Sequence, residues 1–124
     1  MRLQESGEMY LEAILVLSQR GKPVRSIDVC DYLGYSKPSV SRAMSLLRSG
    51  GYVSMDRDSY LSLTEAGQEV AERIYERHQV LSSLFMALGV NEQTATQDAC
   101  RIEHVISEET FEAIKRHANY VDHQ

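Results

Sequence analysis

The chain has 124 residues, of which 43% are hydrophobic and 25% are charged, and it contains two prolines. This composition excludes a disordered or collagen-like chain and allows one domain, or two small lobes, with a buried core. No apolar run approaches the roughly 18 residues of a membrane span, and the polar N-terminus is unlike a secretory signal. The net charge of −5 is uneven: residues 1–63 carry eight basic and seven acidic side chains, whereas residues 64–124 carry five basic and eleven acidic ones. We therefore expect the two parts to have different tasks.

Residues 8–18 and 24–33 predict two short helices. In the first, apolar side chains recur at helical spacing until a Gly-Lys-Pro sequence breaks the pattern. In the second, Ser26 is expected to be the N-cap, and Cys30 falls on the apolar stripe and is interpreted as core. Cys30 and Cys100 do not have the spacing of a disulfide framework.

Residues 36–51 predict a third helix, and residues 52–63 predict a β-hairpin. The helix has Ser36 as its N-cap, Pro38 in its first turn and two glycines at its end. Two short runs around a polar four-residue turn indicate the hairpin. Two short helices joined by a glycine-containing turn and followed by a hairpin are typical of a winged helix-turn-helix. A small α+β domain without a DNA role is the alternative.

The remaining residues predict three more helices, which follow Thr64, Asn91 and Ser107 as N-caps. The second of these is expected to run to about residue 105. The predicted fold class is therefore mainly α with a small β-hairpin wing. We place a winged helix-turn-helix in residues 1–63 and a helical domain in residues 64–124.

The third predicted helix would present a DNA-binding surface, because the N-terminal residues of a recognition helix meet base edges. Arg42 can contact guanine with both guanidinium nitrogens or clamp a phosphate, whereas Arg25 and Arg57 suit phosphate contacts. Any single arginine can equally be a solvated charge, and that is our interpretation of Arg48. The candidate DNA-binding residues are Arg25, Ser36, Lys37, Pro38, Ser39, Ser41, Arg42 and Arg57.

Cys100, Glu103 and His104 have the spacing that places three side chains on one helical face. A thiolate, a carboxylate and an imidazole are suitable ligands for a first-row divalent metal. With other residues they could also activate water in a small hydrolase. In a third interpretation, Cys100 is a redox-sensitive thiol of a metal-independent regulator.

Met9 and Glu12 share one face of the first predicted helix, and His78 lies on the long helix. If these helices converge on the later triplet, all six side chains could surround one or two ions. Taken individually, Met9 could be core packing, Glu12 a solvated charge and His78 a surface histidine.

With these residues, the sequence resembles the diphtheria-toxin-repressor family of metal-dependent transcriptional regulators. The resemblance covers about residues 6–107. Five segments carry it: Glu8-Met9-Tyr10-Leu11, Ser36-x-Pro38-Ser39-Val40-Ser41, Leu63-Thr64-x-x-Gly67, Arg77-His78 and Ala99-Cys100-Arg101-Ile102-Glu103-His104-Val105. It implies that the helical domain binds metal and dimerises. It also implies a homodimer that binds palindromic operators when charged with Fe²⁺ or Mn²⁺.

The resemblance implies a ligand set that combines two branches of the family. Four residues match the activating site of the iron-responsive branch, whereas Glu12 and His78 match positions of the paired-ion site in the manganese branch. The implied metal ligands are Met9, Glu12, His78, Cys100, Glu103 and His104. The chain departs from both branches. It has Ser82 and Thr96 where an ancillary iron site would need Glu and His, and it lacks the manganese branch's carboxylates at positions 9 and 100.

Soft thioether and thiolate ligands suit Fe²⁺, Co²⁺, Ni²⁺ or Zn²⁺ better than Mn²⁺. We therefore favour Fe²⁺ over Mn²⁺ and expect the other ions to act in vitro. The expected protein is a cytoplasmic, homodimeric repressor of metal-homeostasis genes. Its partners are double-stranded operator DNA and a second copy of itself. Neither enzymatic activity, nor a membrane, nor a small organic substrate is expected. The alternatives remain the Cys100 redox regulator and the small metal-dependent hydrolase.

Overall fold

The computed structural model describes residues 5–122, and the side chains as far as residue 118. Within these residues the elements are α1 Glu5–Gln19, α2 Ser26–Leu33, α3 Lys37–Ser49, β1 Val53–Met55, β2 Leu61–Leu63, α4 Glu65–Ala87, α5 Glu92–Ile102 and α6 Glu108–Asp122. The mainly helical fold with a small hairpin is confirmed. Among the described residues, no helix combines the length and the hydrophobicity that a membrane span requires.

The chain divides into two compact units, residues 1–73 and residues 74–124. The division falls inside α4, which begins in the first unit and ends in the second. The two predicted domains, residues 1–63 and 64–124, remain our proposal for the functional division.

The first unit is built around α1, which packs against α2, α3 and β2. Its fully buried side chains include Leu11, Ile14, Val29 and Val40. They lie on the apolar stripes that periodicity predicts for α1, α2 and α3. The strands pair antiparallel, which confirms the predicted hairpin. Met55 lies opposite Leu61, so the turn covers residues 56–60 and is longer by one residue than the sequence predicts.

The N-caps of α2 and α3, the two helices of the helix-turn-helix, both depend on side chains close in sequence. Ser36 is the N-cap of α3, as expected, because its Oγ accepts a hydrogen bond of 3.3 Å from the Ser39 amide. The N-cap of α2 is Arg25 and not Ser26, so that expectation was wrong by one residue. The reason is Asp28, whose carboxylate accepts a hydrogen bond of 2.8 Å from the Arg25 amide and fixes the start of the helix there.

The hairpin is joined closely to α4 through Thr64 and Gly67. Thr64 Oγ1 donates to the Gly51 carbonyl at 2.6 Å and accepts from the Gly67 amide at 3.2 Å. A Cβ added at Gly67 would lie 2.0 Å from the carbonyl oxygen of Tyr52. Glycine is therefore required where the helix meets the backbone before β1.

The second unit contains the C-terminal part of α4 together with α5 and α6. Its buried side chains include Ile74, Leu81, Ala99 and Phe111. The N-caps of α5 and α6 are confirmed, since the side chains of Asn91 and Ser107 accept from the amides three residues later at 2.9 and 3.1 Å. Helix α5 ends at Ile102, about three residues earlier than the sequence predicts.

Candidate functional site

Glu103 is the centre of a buried polar cluster in the second unit. Its side chain is fully buried, and its Oε2 lies 2.9 Å from Nδ1 of His78. Its Oε1 lies 3.4 Å from Nε2 of His104, whose side chain is 2% exposed. His78 is on α4 and Glu103 is at the end of α5, so this cluster joins residues 25 positions apart in sequence.

The early end of α5 changes the arrangement expected for the triplet. Cys100 is within the helix and half-buried, Glu103 is its C-cap, and His104 belongs to the turn that follows. The three residues therefore do not lie on one continuous helix. The backbone still continues the helical pattern for one step, because the Glu103 amide donates to the Ala99 carbonyl at 2.9 Å.

Arg77 explains why the chain can leave the helix at this point. Its Nη1 donates to the carbonyl oxygens of Glu103 at 3.1 Å and Ile106 at 2.8 Å. Its Nη2 donates to Oε2 of Glu108 at 2.8 Å, and the guanidinium lies 5.3 Å from the ring centroid of Phe111. Arg77 is itself buried. A buried guanidinium thus supplies the partners that terminal carbonyls need once helical bonding stops.

The donor atoms of the cluster fit a divalent transition metal. A carboxylate removed from water costs several kcal/mol unless positive charge or hydrogen bonds compensate it. Here Glu103 is faced by two imidazoles. Imidazole nitrogen together with carboxylate oxygen is a donor set that first-row divalent metals accept.

The two remaining metal candidates, Met9 and Glu12, are on α1 in the first unit, and both are half-buried. The hydroxyl of Tyr35 donates a hydrogen bond to Sδ of Met9, with an oxygen–sulfur distance of 3.6 Å. Neighbouring Glu8 has a different role, because its Oε2 accepts from Nη2 of Arg73 at 3.2 Å. We therefore do not add Glu8 to the candidate ligands.

The predicted DNA-binding residues all lie in the first unit. The apolar side of α3 is directed into the core through Val40, Met44 and Leu47. This leaves the opposite side of the helix available, as the pattern predicts. All eight candidates are exposed: Arg25, Ser36, Lys37, Pro38, Ser39, Ser41, Arg42 and Arg57.

Arg25 is held against the hairpin. Its guanidinium lies 4.3 Å from the ring centroid of Tyr60, a cation–π distance. Next to it, Val24 forms an isolated antiparallel bridge with Leu61. The start of α2 is therefore attached to the hairpin through Arg25 and Val24.

Two family models cover nearly the whole chain. Residues 2–61 match the N-terminal DNA binding domain of iron dependent repressors, and residues 64–124 match their metal binding and dimerisation domain. The chain belongs to the iron-dependent repressor family. The resemblance inferred from the sequence is confirmed.

Individual relatives are also described as regulators. An uncharacterised HTH-type transcriptional regulator of Methanocaldococcus jannaschii is 30% identical over 115 residues, which are 91% of this chain and 92% of that protein. The transcriptional regulator MntR of Escherichia coli O157:H7 is 33% identical over 106 residues, 86% of this chain and 68% of MntR. The structure of the manganese regulator SloR superposes with a TM-score of 0.83 at 26% identity, covering 97% of this chain. This chain spans 55% of the SloR chain.

The sequence alone did not assign a functional or structural role to three residues whose contacts the structure shows: Arg77, Tyr35 and Tyr60. A signal existed for Arg77, because it follows Ile74 by three residues and precedes Leu81 by four, which places it on the buried stripe of α4. The contacts of Tyr35 and Tyr60 join residues distant in sequence, and no local pattern reveals them.

Proposed function

We propose that this protein is a cytoplasmic, homodimeric, metal-activated repressor that controls genes of metal homeostasis. The observation that carries the proposal is the buried carboxylate of Glu103 between His78 and His104. This cluster occurs in the part of the chain that matches a metal binding and dimerisation domain.

The proposed ligands are the six that the sequence suggested: Met9, Glu12, His78, Cys100, Glu103 and His104. The bound ion would supply the positive charge that a buried carboxylate requires. We favour Fe²⁺ over Mn²⁺, because a thioether and a thiolate are softer donors than Mn²⁺ prefers. The matching family is that of iron dependent repressors, whereas SloR is a manganese regulator. Both ions therefore belong in the test.

For DNA, we propose that the N-terminal part of α3 enters the major groove and that Arg25 and Arg57 bind phosphates beside it. Because each chain makes few such contacts, we propose that a dimer binds two half-sites.

The dimer needs an apolar face that both chains share. Leu88 is 71% exposed and is one candidate for this face. Phe111 is not available for such a face, because it is buried in the chain's own core beside Arg77.

Metal and DNA binding are coupled in this proposal, because both favour the same conformation of the dimer. Thermodynamic linkage then requires DNA to raise metal affinity by the factor by which metal raises DNA affinity. A regulator based on oxidation of Cys100 has no such requirement. A small hydrolase is disfavoured by relatives that are described as regulators.

The deciding experiment measures anaerobic binding to the DNA upstream of the protein's own gene. Binding is compared in chelator, in Fe²⁺ and in Mn²⁺ at one fixed salt concentration, because salt changes DNA affinity steeply. We expect binding only with metal, at lower concentrations of Fe²⁺ than of Mn²⁺. Equal binding in chelator and in metal would refute the metal switch.

A pair of variants tests whether the metal requirement for DNA binding arises from the proposed site. Cys100→Ala should require more metal to reach half-maximal DNA binding, whereas Cys30→Ala tests loss of a thiol outside the ligand set. An unchanged metal requirement in Cys100→Ala would remove this thiolate from the ligands. Metal-independent DNA binding that is lost on oxidation would instead support the redox regulator.

A further inference from the structure

The hydroxyl of Tyr35 forms a link between a proposed metal ligand and the start of α3. It donates to Sδ of Met9 at 3.6 Å. Tyr35 directly precedes Ser36, the N-cap of α3. Met9 is on α1, so this hydrogen bond joins α1 to the turn between α2 and α3, and its two residues are 26 positions apart in sequence.

The backbone around Tyr35 has little freedom. Gly34 has a φ of 74°, and its amide donates to the Cys30 carbonyl at 2.8 Å. The amide of Tyr35 donates to the same carbonyl at 3.3 Å. The turn is thus attached to the end of α2, and it leads directly into Ser36, the N-cap of α3.

The ring of Tyr35 is also supported. It lies edge-on to Tyr10, with 6.0 Å between centroids and 70° between planes. Burial raises the pKa of the Tyr10 phenol, and the electrostatic effects of Tyr35 and Cys30 act in the same direction. Ring packing and the hydroxyl–sulfur hydrogen bond are separate contributions, because phenylalanine keeps the first and removes the second.

We propose that Tyr35 is a positioning residue that orients the Met9 thioether for metal binding and couples its position to α3. A thioether sulfur has two lone pairs, so it can accept from the Tyr35 hydroxyl and still offer one lone pair to a cation. When Met9 is held by coordination, Tyr35 and the turn before Ser36 are held with it. The inference rests on the proposed function, because it takes Met9 as a ligand and α3 as the recognition helix.

The test uses the full-length Tyr35→Phe protein, with Tyr32→Phe as the matched control. Tyr32 is an exposed tyrosine of α2 whose ring lies under Arg20. Two quantities are measured. The first is the affinity for Co²⁺ without DNA, determined from the visible absorption of the bound ion. The second is the DNA affinity at saturating Co²⁺ divided by the DNA affinity in chelator. We expect Tyr35→Phe to lower each by about threefold, the size of one neutral hydrogen bond. DNA affinity in chelator and the Tyr32→Phe values should not change.

A double-mutant cycle with Met9→Leu distinguishes the loss of the Tyr35–Met9 hydrogen bond from a general loss of protein stability. In the Met9→Leu background, Tyr35→Phe should change neither quantity, because the hydroxyl no longer has the sulfur as acceptor. The same loss in both backgrounds would overturn the proposal, and so would wild-type Co²⁺ affinity in Tyr35→Phe. If wild-type DNA binding proves independent of metal, the proposed function fails. In that case the Co²⁺ affinities alone decide whether Tyr35 orients Met9.

Discussion

Arg77 donates a hydrogen bond of 3.1 Å to the carbonyl oxygen of Glu103, the residue that caps α5. The same guanidinium nitrogen holds the carbonyl of Ile106, so one buried side chain fixes both sides of the turn that carries His104. The geometry of the proposed metal ligands therefore depends on a residue that is not itself a ligand.

Arg77→Lys should destabilise the metal-free protein although it conserves the charge. A lysine ammonium has no planar fork and cannot reach both carbonyls and Glu108 together. We expect the free energy of unfolding to fall by about 2 kcal/mol in urea denaturation, the value of a hydrogen bond to a charged group. Arg116→Lys, at an exposed position of α6, is the control. Equal stability of the two variants would contradict the role given to Arg77.

Glu103→Gln should weaken metal binding without affecting DNA binding in chelator. The substitution keeps the side-chain shape but removes the charge that faces His78 and His104. We expect the affinity for Fe²⁺, measured anaerobically by competition with a chelator, to fall by about 100-fold. Glu109→Gln, at an exposed position of α6, should keep wild-type affinity. Wild-type affinity in Glu103→Gln would exclude this carboxylate from the metal site.

Arg25→Gln should change the salt dependence of DNA binding. Each phosphate contact contributes about 0.9 to the slope of log affinity against log salt concentration. The proposed homodimer would lose two contacts, so the slope should decrease by about 2 when binding is measured over a salt series with metal present. Arg48→Gln removes an exposed charge from α3 that we do not assign to DNA. Identical slopes for the two variants would show that Arg25 does not bind a DNA phosphate.

Gly67→Ala should destabilise the junction between the hairpin and α4. The new methyl group would lie 2.0 Å from the carbonyl oxygen of Tyr52, so the backbone has to move. We expect a loss of about 2 kcal/mol or more in thermal or urea unfolding, as for overpacked sites. Glu69→Ala, at an exposed position of the same helix, should stay within about 0.5 kcal/mol of wild type. A stable Gly67→Ala protein would mean that this junction adapts easily.

Much of the fold was predictable because its signals are local. The N-caps Ser36, Asn91 and Ser107 each act through an amide three residues away, and the alternating pattern predicts the hairpin, although not its exact register. The end of α5 was not predictable in the same way. It depends on Arg77, which reaches the turn from another helix.

The sequence by itself determined the fold class, the helix-turn-helix with its wing, and the chemical types of the candidate ligands. These follow from periodicity, caps and residue types, which act over a few positions. Only the tertiary structure decided that Glu103 is fully buried beside His78, that Arg77 closes the turn, and that Tyr35 contacts Met9. Each of these contacts joins residues about 25 positions apart in sequence, so it exists only when separate segments of the chain pack together.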